Sequence, residues 1–302
     1  MISRRTVDQI SEALIFAVAV VAIGIILLIF VYVGREALPL IRGTAAEGLS
    51  ILSPFSEPYT WQPVSNVPKY NIFPLIIGTI KVTIIAMLLA TPLALAAALY
   101  TAEFAPASLR EWIKPAIELL AGIPSVVLGF FGLMVLATWV QSGLNVAYRL
   151  NALTAGIALA LAIIPIIYTV SEDAMVAVPR LYREASLALG ASKGQTAIRV
   201  VLPAAIPGIA AAIILGFGRA IGETMVVLMV SGNSAIWSLH PAMPVRTLSA
   251  TIAAEMAEAV FGSGHYRILF FIGAFLFVMT GVLNWIGDRL NRRLRERLFG
   301  SA

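Results

Sequence analysis

Six long apolar runs, at roughly 12–33, 72–100, 117–140, 152–171, 203–230 and 268–287, leave this chain few ways to fold. Each is about twenty residues or longer, enough for a helix to cross ~30 Å of hydrocarbon at ~1.5 Å per residue. Backbone inside lipid must satisfy its own hydrogen bonds, so such runs fold as transmembrane helices. The composition agrees. Of 302 residues 60% are hydrophobic and 12% charged, which is beyond what one soluble domain carries. The expected fold class is an all-α polytopic membrane protein with six transmembrane helices. No interval between the runs holds a soluble domain, and there is no defensible internal repeat.

Other classes fall away in turn. The chain has no cysteine, hence no disulfide framework and no thiolate metal site. Its two histidines, His240 and His265, are too few and too scattered for an obvious metal site. The formal charge of +5 does not point to nucleic acid, because the basic residues flank the spans. An integral membrane enzyme needs paired carboxylates, or Ser with His, at membrane depth, and no such set is visible. The first run follows Arg4 and Arg5, exceeds a signal-peptide core and lacks an A-x-A-like cleavage site. It is expected to be a retained signal anchor.

Charge asymmetry orients the spans. The two ends and the second and fourth connections carry thirteen Lys and Arg, five of them in the tail from Arg289 to Arg297. The remaining connections and their flanks carry seven, from Arg35 to Arg267, and Arg219 lies inside a span. The excess places both termini in the cytoplasm. On that topology the first outer loop, 34–71, is rich in Pro, Ser and Gly, has interfacial aromatics at Tyr59, Trp61 and Tyr70, and is expected to hold little regular structure. Pro106 to Glu118 puts Leu109, Trp112, Ile113 and Ile117 on one face, as an amphipathic helix on the cytoplasmic surface does. In the last outer loop, 231–267, Thr247 to Val260 is helix-compatible, and Glu255 and Glu258 are either solvated or partner-facing. Pro124 and Pro165 are expected to kink their spans, and Lys81 to snorkel.

Two features carry function. The loop 172–203 is charged and helically periodic. Arg180 to Leu189 reads as one helix after Pro179, Gly190 stops it, and Ala191 to Val201 reads as a second, ended by Leu202-Pro203. Small residues at Ala185, Ser186, Ala188 and Gly190 let a partner approach closely; on periodicity alone an ordinary inter-helix loop fits equally well. The second feature is Arg219 with Glu223 in the fifth run, spaced i, i+4 and so on one helical face, about 24 Å along from Pro203. An intramembrane charge pair is costly and marks a polar pathway, the alternative being an ion pair that locks two helices. Guanidinium suits an oxyanion, and Glu223 would hold or neutralise it. Two small-residue stripes, Gly208-Ala212-Gly216-Ala220 and Gly218-Gly222, permit close helix packing. The run Gly190 to Thr196 lacks the order of a phosphate-binding loop, so ATP chemistry is not expected in this chain.

Glu184-Ala185-Ser186, then Gly190, then Leu202-Pro203 resemble the EAA loop of ABC importer permeases, departing at Ser186 and Val200 where the family usually has Ala and Ile. Ala121 to Gly132, Ile164-Pro165 with Ser171 to Ala174, and Gly218 to Met225 look like the phosphate-specific branch. Val226-Val227, Arg246 to Leu248 and Ala253 to Glu255 look more like its PstC-type subunit than the PstA-type paralogue. The resemblance covers roughly residues 70–295 and implies a type I ABC importer permease fold with cytoplasmic coupling helices. It implies an N-terminal transmembrane helix plus outer loop, 1–71, and a permease core, 72–302. It implies as partners a homologous second permease, two ATPase subunits that bind the ATP and Mg, and an extracytoplasmic phosphate-binding protein, with lipid around them. Coupling to the ATPase falls to Glu184, Ala185, Ser186, Gly190, Leu202 and Pro203, and the substrate path to Arg219 and Glu223. The paralogous permease, a permease for phosphonate, molybdate or sulfate, and a secondary anion carrier are the competing readings.

Overall fold

The computed structural model describes residues 4–42, 53–55 and 60–299. Among them six helices are long and apolar enough to cross a membrane: Ser11–Ile41, Phe73–Phe104, Ser125–Leu144, Ala152–Val176, Lys193–Gly222 and Gly264–Arg293. The first lies within α1 (Arg4–Ile41) and the sixth within α12 (Gly264–Phe299). These two run antiparallel, with Phe30 on Phe277 at 4.8 Å and Tyr32 on Phe270 at 5.6 Å between ring centroids. Both described ends of the chain therefore lie on one face, called here the terminal face.

The centre is built from α2 (Phe73–Leu99), α6 (Ala152–Val176) and α9 (Leu202–Gly222). Alanine permits their approach: Ala86, Ala90, Ala94, Ala98, Ala155 and Ala212 are each fully buried. In lipid, helices gain no hydrophobic driving force from one another, so such close packing supplies the stabilisation through dispersion. Gly156 marks a close α2–α6 crossing, where a Cβ would meet Ile85 Cγ2 at 2.4 Å.

Span boundaries differ from expectation wherever Pro or Gly punctuates. The third span starts at Ser125 rather than at 117. Residues up to Ala121 belong to the amphipathic α3 (Ala107–Ala121), and Gly122 to Pro124 separate it from α4 (Ser125–Phe131). Pro124 thus precedes a helix instead of kinking one, with the extended backbone a helix-start residue adopts. The third span then relaxes through an i→i+5 turn, Gly132–Leu136, into α5 (Ala137–Leu144). The second ends on such a turn too, Tyr100–Phe104. Pro165 sits inside α6 as expected.

The opposite face holds what the first outer loop was expected to lack. Strands β1 (Trp61–Gln62) and β2 (Lys69–Tyr70) pair antiparallel, and Trp61 and Tyr70 are buried rather than interfacial. Tyr59 and residues 43–52 lie outside the described residues. Lys81 does not snorkel: its Nζ donates to the carbonyls of Ser238 at 2.8 Å and His240 at 3.1 Å. The helix-compatible part of the last loop shortens to α11 (Leu248–Glu255), whose first turn is buried.

Candidate functional site

On the terminal face the loop after α6 folds into a protrusion. Helix α7 (Arg180–Ala188) follows Pro179, and Gly190 reverses the chain at φ +85°, where a side chain is strained. A short helix, α8 (Lys193–Thr196), starts on a capping box in which the Ser192 hydroxyl accepts from the Gln195 amide and the Gln195 side chain from the Ser192 amide. The second helix is not ended by Leu202-Pro203. It passes through an i→i+5 turn at Ala197–Val201 directly into α9, making one continuous rod from Lys193 to Gly222. Pro203 lies in the first turn of α9, and the wider preceding turn satisfies Leu202 N–H on Ala197 O, so the missing proline amide breaks nothing. Ser186 Oγ and Thr196 Oγ1 meet at 2.9 Å and tie α7 to α8.

The expected coupling residues separate accordingly. Glu184, Ala185 and Gly190 are exposed on the protrusion and Ser186 is half-buried, whereas Leu202 and Pro203 belong to the foot of α9. Leu181, Tyr182, Leu187 and Leu189 are exposed beside them, Leu189 at 90%. An exposed apolar cluster on a polar helix marks a docking surface.

Three cations that sequence reasoning did not single out fasten this protrusion to the body. Arg183 donates through Nη2 and Nε to Glu103 Oε1 at 2.7 and 3.0 Å, and to the Met175 carbonyl at 2.8 Å, stapling α7 to the ends of α2 and α6. Arg110 Nη2 donates to the last carbonyls of the second span, Thr101 and Ala102, both at 2.7 Å. Lys114 Nζ bridges Glu172 Oε2 at 2.9 Å and Asp173 Oδ1 at 3.0 Å. The hydrogen bonds it donates to Glu172, then to Asp173, hold the Lys114 ammonium above the usual lysine range.

Arg219 and Glu223 do not share a helical face. α9 ends at Gly222, Glu223 is extended (φ −66°, ψ 129°), and α10 (Met225–Val230) begins two residues later. Among the described residues no ion pair joins the two. Gly216 packs on Ile163 and Ile167 of α6, so Arg219, three residues or about 4.5 Å beyond, lies near the level of Ala162, close to the middle of that span. The break is thus at mid-depth, where irregular backbone persists only if buried in protein or lining a polar cavity. It gives each charge a complementary helix end: Arg219 is in the last turn of α9, at the negative pole, and Glu223 stands before α10, at the positive pole. Glu223 Oε1 lies 3.5 Å from the Val226 amide, and its carbonyl accepts from Ser249 Oγ at 2.9 Å. Arg219 is exposed on the lone chain.

The small-residue stripes divide as well. Gly208, Ala212, Gly216 and Ala220 face α6, where a Cβ on Gly208 would meet Ala174 Cβ at 2.3 Å. Gly222 is exposed with open space around it, on the side of α9 left uncovered near Arg219. The first stripe is internal packing.

Glu255 is neither solvated nor free. Its carboxylate accepts from Trp61 Nε1 at 3.0 and 3.1 Å, pairs with Arg246 Nη1, and lies 3.4 Å from His265 Nε2. Arg246 Nε also donates to Asn233 Oδ1 at 2.8 Å. The group pins β1, the last loop, α11 and α12 together on the opposite face, so His265 is not a plain loop residue.

Six spans, a charged helix break at mid-depth and an exposed helical protrusion define a multi-pass membrane subunit of the transport kind. A family model described as "binding-protein-dependent transport system inner membrane component" matches residues 90–298, and the chain belongs to this family. It is 35% identical over 284 residues to the probable ABC transporter permease protein YqgH of Bacillus subtilis, covering 93% of this chain and 91% of that one. It is 35% identical over 294 residues to the phosphate transport system permease protein PstC of Mesorhizobium japonicum, covering 90% and 88%. A bacterial ABC transporter involved in the import of the acidic polysaccharide alginate superposes with TM-score 0.65 at 15% identity, over 96% of this chain and 99% of that one. The MetNI methionine ABC transporter, in inward-facing conformations, superposes with TM-score 0.55 at 18% identity, over 74% and 94%. The six-span fold is that of ABC importer permeases.

Proposed function

We propose that this chain is a permease subunit of an ATP-driven importer for inorganic phosphate. Both termini and the protrusion face the cytoplasm. The observation that carries the reading is Arg219: an unpaired guanidinium, among the described residues, exposed at mid-depth beside a helix break. Insertion of such a group into lipid is unfavourable, so its face belongs against a second, homologous permease with a polar path between them. Relatives named for phosphate transport support the choice of anion.

In this reading the exposed side of α7 and the Gly190 turn, carrying Glu184, Ala185 and Ser186, dock on one of two cytoplasmic ATPase subunits, which hold the ATP and Mg. Leu202 and Pro203 carry the motion into α9. An extracytoplasmic phosphate-binding protein delivers the anion to the opposite face. ATP binding closes the ATPases, displaces the protrusion and opens the path outward; hydrolysis resets it. Arg219 attracts the anion through directional N–H donors, and Glu223, on the far side of the break, keeps that attraction moderate so that release follows. Residues 1–71 form an N-terminal transmembrane helix plus extracytoplasmic loop beside the 72–302 permease core.

The test is ATP-dependent phosphate uptake by proteoliposomes holding the full assembly, with sulfate, molybdate and phosphonate as competitors. Uptake that persists with a hydrolysis-dead ATPase overturns the ATP-driven reading. Equal competition by another oxyanion overturns the substrate.

A further inference from the structure

A second cationic site lies away from Arg219, on the terminal face. Between the end of the second span, the end of α6 and the start of α7 is a cavity of about 200 Å³ lined by Ala102, Arg110, Val176, Arg180 and Arg183. Three guanidiniums converge on a space of few-water size. Two of them have structural duties: Arg110 covers the Thr101 and Ala102 carbonyls through Nε and Nη2, and Arg183 engages Glu103, Met175 and Val178. Arg110 Nη1 has no such duty. Arg180 is exposed at the first position of α7 and makes no hydrogen bond or ion pair among the described residues.

Charge favours an anion here. Among the described residues Glu103 is the one carboxylate bonded to the three arginines. The lining itself carries three arginines and no carboxylate, so the cavity wall is cationic. Planar guanidiniums present paired N–H donors that match the oxygens of a tetrahedral oxyanion.

We infer that this cavity binds a phosphate-type oxyanion, whose occupancy bridges Arg110 on α3 to Arg180 on α7 and fixes the first helix of the protrusion against the membrane body. The site stands whatever solute the path carries. Free inorganic phosphate and the headgroup of an anionic lipid share the required chemistry, since the cavity sits at the level of the interfacial α3.

Hydrogen exchange on the intact, nucleotide-free assembly in zwitterionic nanodiscs tests this, with inorganic phosphate as the probe. Phosphate is expected to slow exchange at residues 177–191 and in the first turn of α3. Arg180→Gln is expected to weaken the apparent affinity about tenfold or more, the loss of one charge-assisted donor pair, and Arg180→Lys to weaken it less. Arg219→Gln is expected to keep the protection, which separates this site from the transport path. The same protection by phosphatidylglycerol nanodiscs without phosphate, lost in Arg180→Gln, supports the site with a headgroup as the source. Absence of protection by either source, or protection unchanged in Arg180→Gln, overturns it. Release of the ATPase subunits by Arg180→Gln also overturns it, because the cavity is then a socket for a partner's carboxylate.

Discussion

Ser249 donates its hydroxyl to the carbonyl of Glu223 across 2.9 Å, linking the first turn of α11 to the break between α9 and α10. The break leaves backbone groups without helical partners at mid-depth, where no water replaces them. Ser249→Ala is expected to destabilise the protein by about 1–3 kcal/mol, the cost of an orphaned buried acceptor. Thermal unfolding in detergent reads this, and a melting temperature equal to wild type removes Ser249 from the support of the break.

Arg219→Gln keeps a polar, hydrogen-bonding side chain but shortens it, removes donors and removes the charge. Phosphate uptake is expected to fall by about ten- to a hundredfold, the worth of a charged hydrogen bond of about 1.5–3 kcal/mol. Assembly and hydrolysis stimulated by the binding protein are expected to persist. Normal uptake makes Arg219 a packing residue.

Gly190 occupies φ +85° with no atom within 4 Å of a would-be Cβ, so a substitution there acts through the backbone and through whatever docks on it. Gly190→Ala is expected to cost about 1 kcal/mol. Gly190→Asp adds bulk and charge to the docking surface and is expected to uncouple hydrolysis from uptake or release the ATPases, measured by co-purification.

Removing Glu255 strands Arg246 and the Trp61 indole in a site where both partners of the ion pair are only about 15% exposed (15% and 14%). Glu255→Ala is expected to cost about 3 kcal/mol, seen as a lowered unfolding midpoint. An unchanged midpoint shows that β1 and α12 hold together without it.

Lys114 gives a sign that pH can check. Its proton is held more tightly in the folded chain, so its contribution is fully present below the ordinary lysine pKa, about 10.4, and fades only as pH rises through the higher folded value. Lys114 is 36% exposed, which screens its own charge, but Glu172 is 3% exposed and loses its cation, so Lys114→Met is expected to cost about 1–3 kcal/mol. That difference from wild type should stay constant between about pH 6 and 9. A difference that vanishes within that range contradicts the clamp.

Most of the fold is legible because lipid imposes it. Long apolar runs must be helices, and Gly190 had to end α7 because glycine alone reaches that backbone region without strain. Gly222-Glu223 misleads because an i, i+4 spacing carries no information about whether a helix continues. Tertiary contacts such as Ser249 on the Glu223 carbonyl support an interruption there. Pro203 misleads in the other direction, since the wider turn before it absorbs the missing amide. The Trp61–Arg246–Glu255–His265 group joins residues up to 204 positions apart, and nothing local in the sequence announces it. Arg246 and Glu255, nine apart on either side of a helix start, were the one trace available.

The unbroken helix from Lys193 to Gly222 has a mechanical meaning. Its foot belongs to the protrusion and its tip, about 44 Å away, carries Arg219 one turn from the break. A partner that tilts or twists the foot would move the tip as a crowbar moves, with the wide turn at Ala197–Val201 and Pro207 inside α9 as places along the shaft where torque can slip.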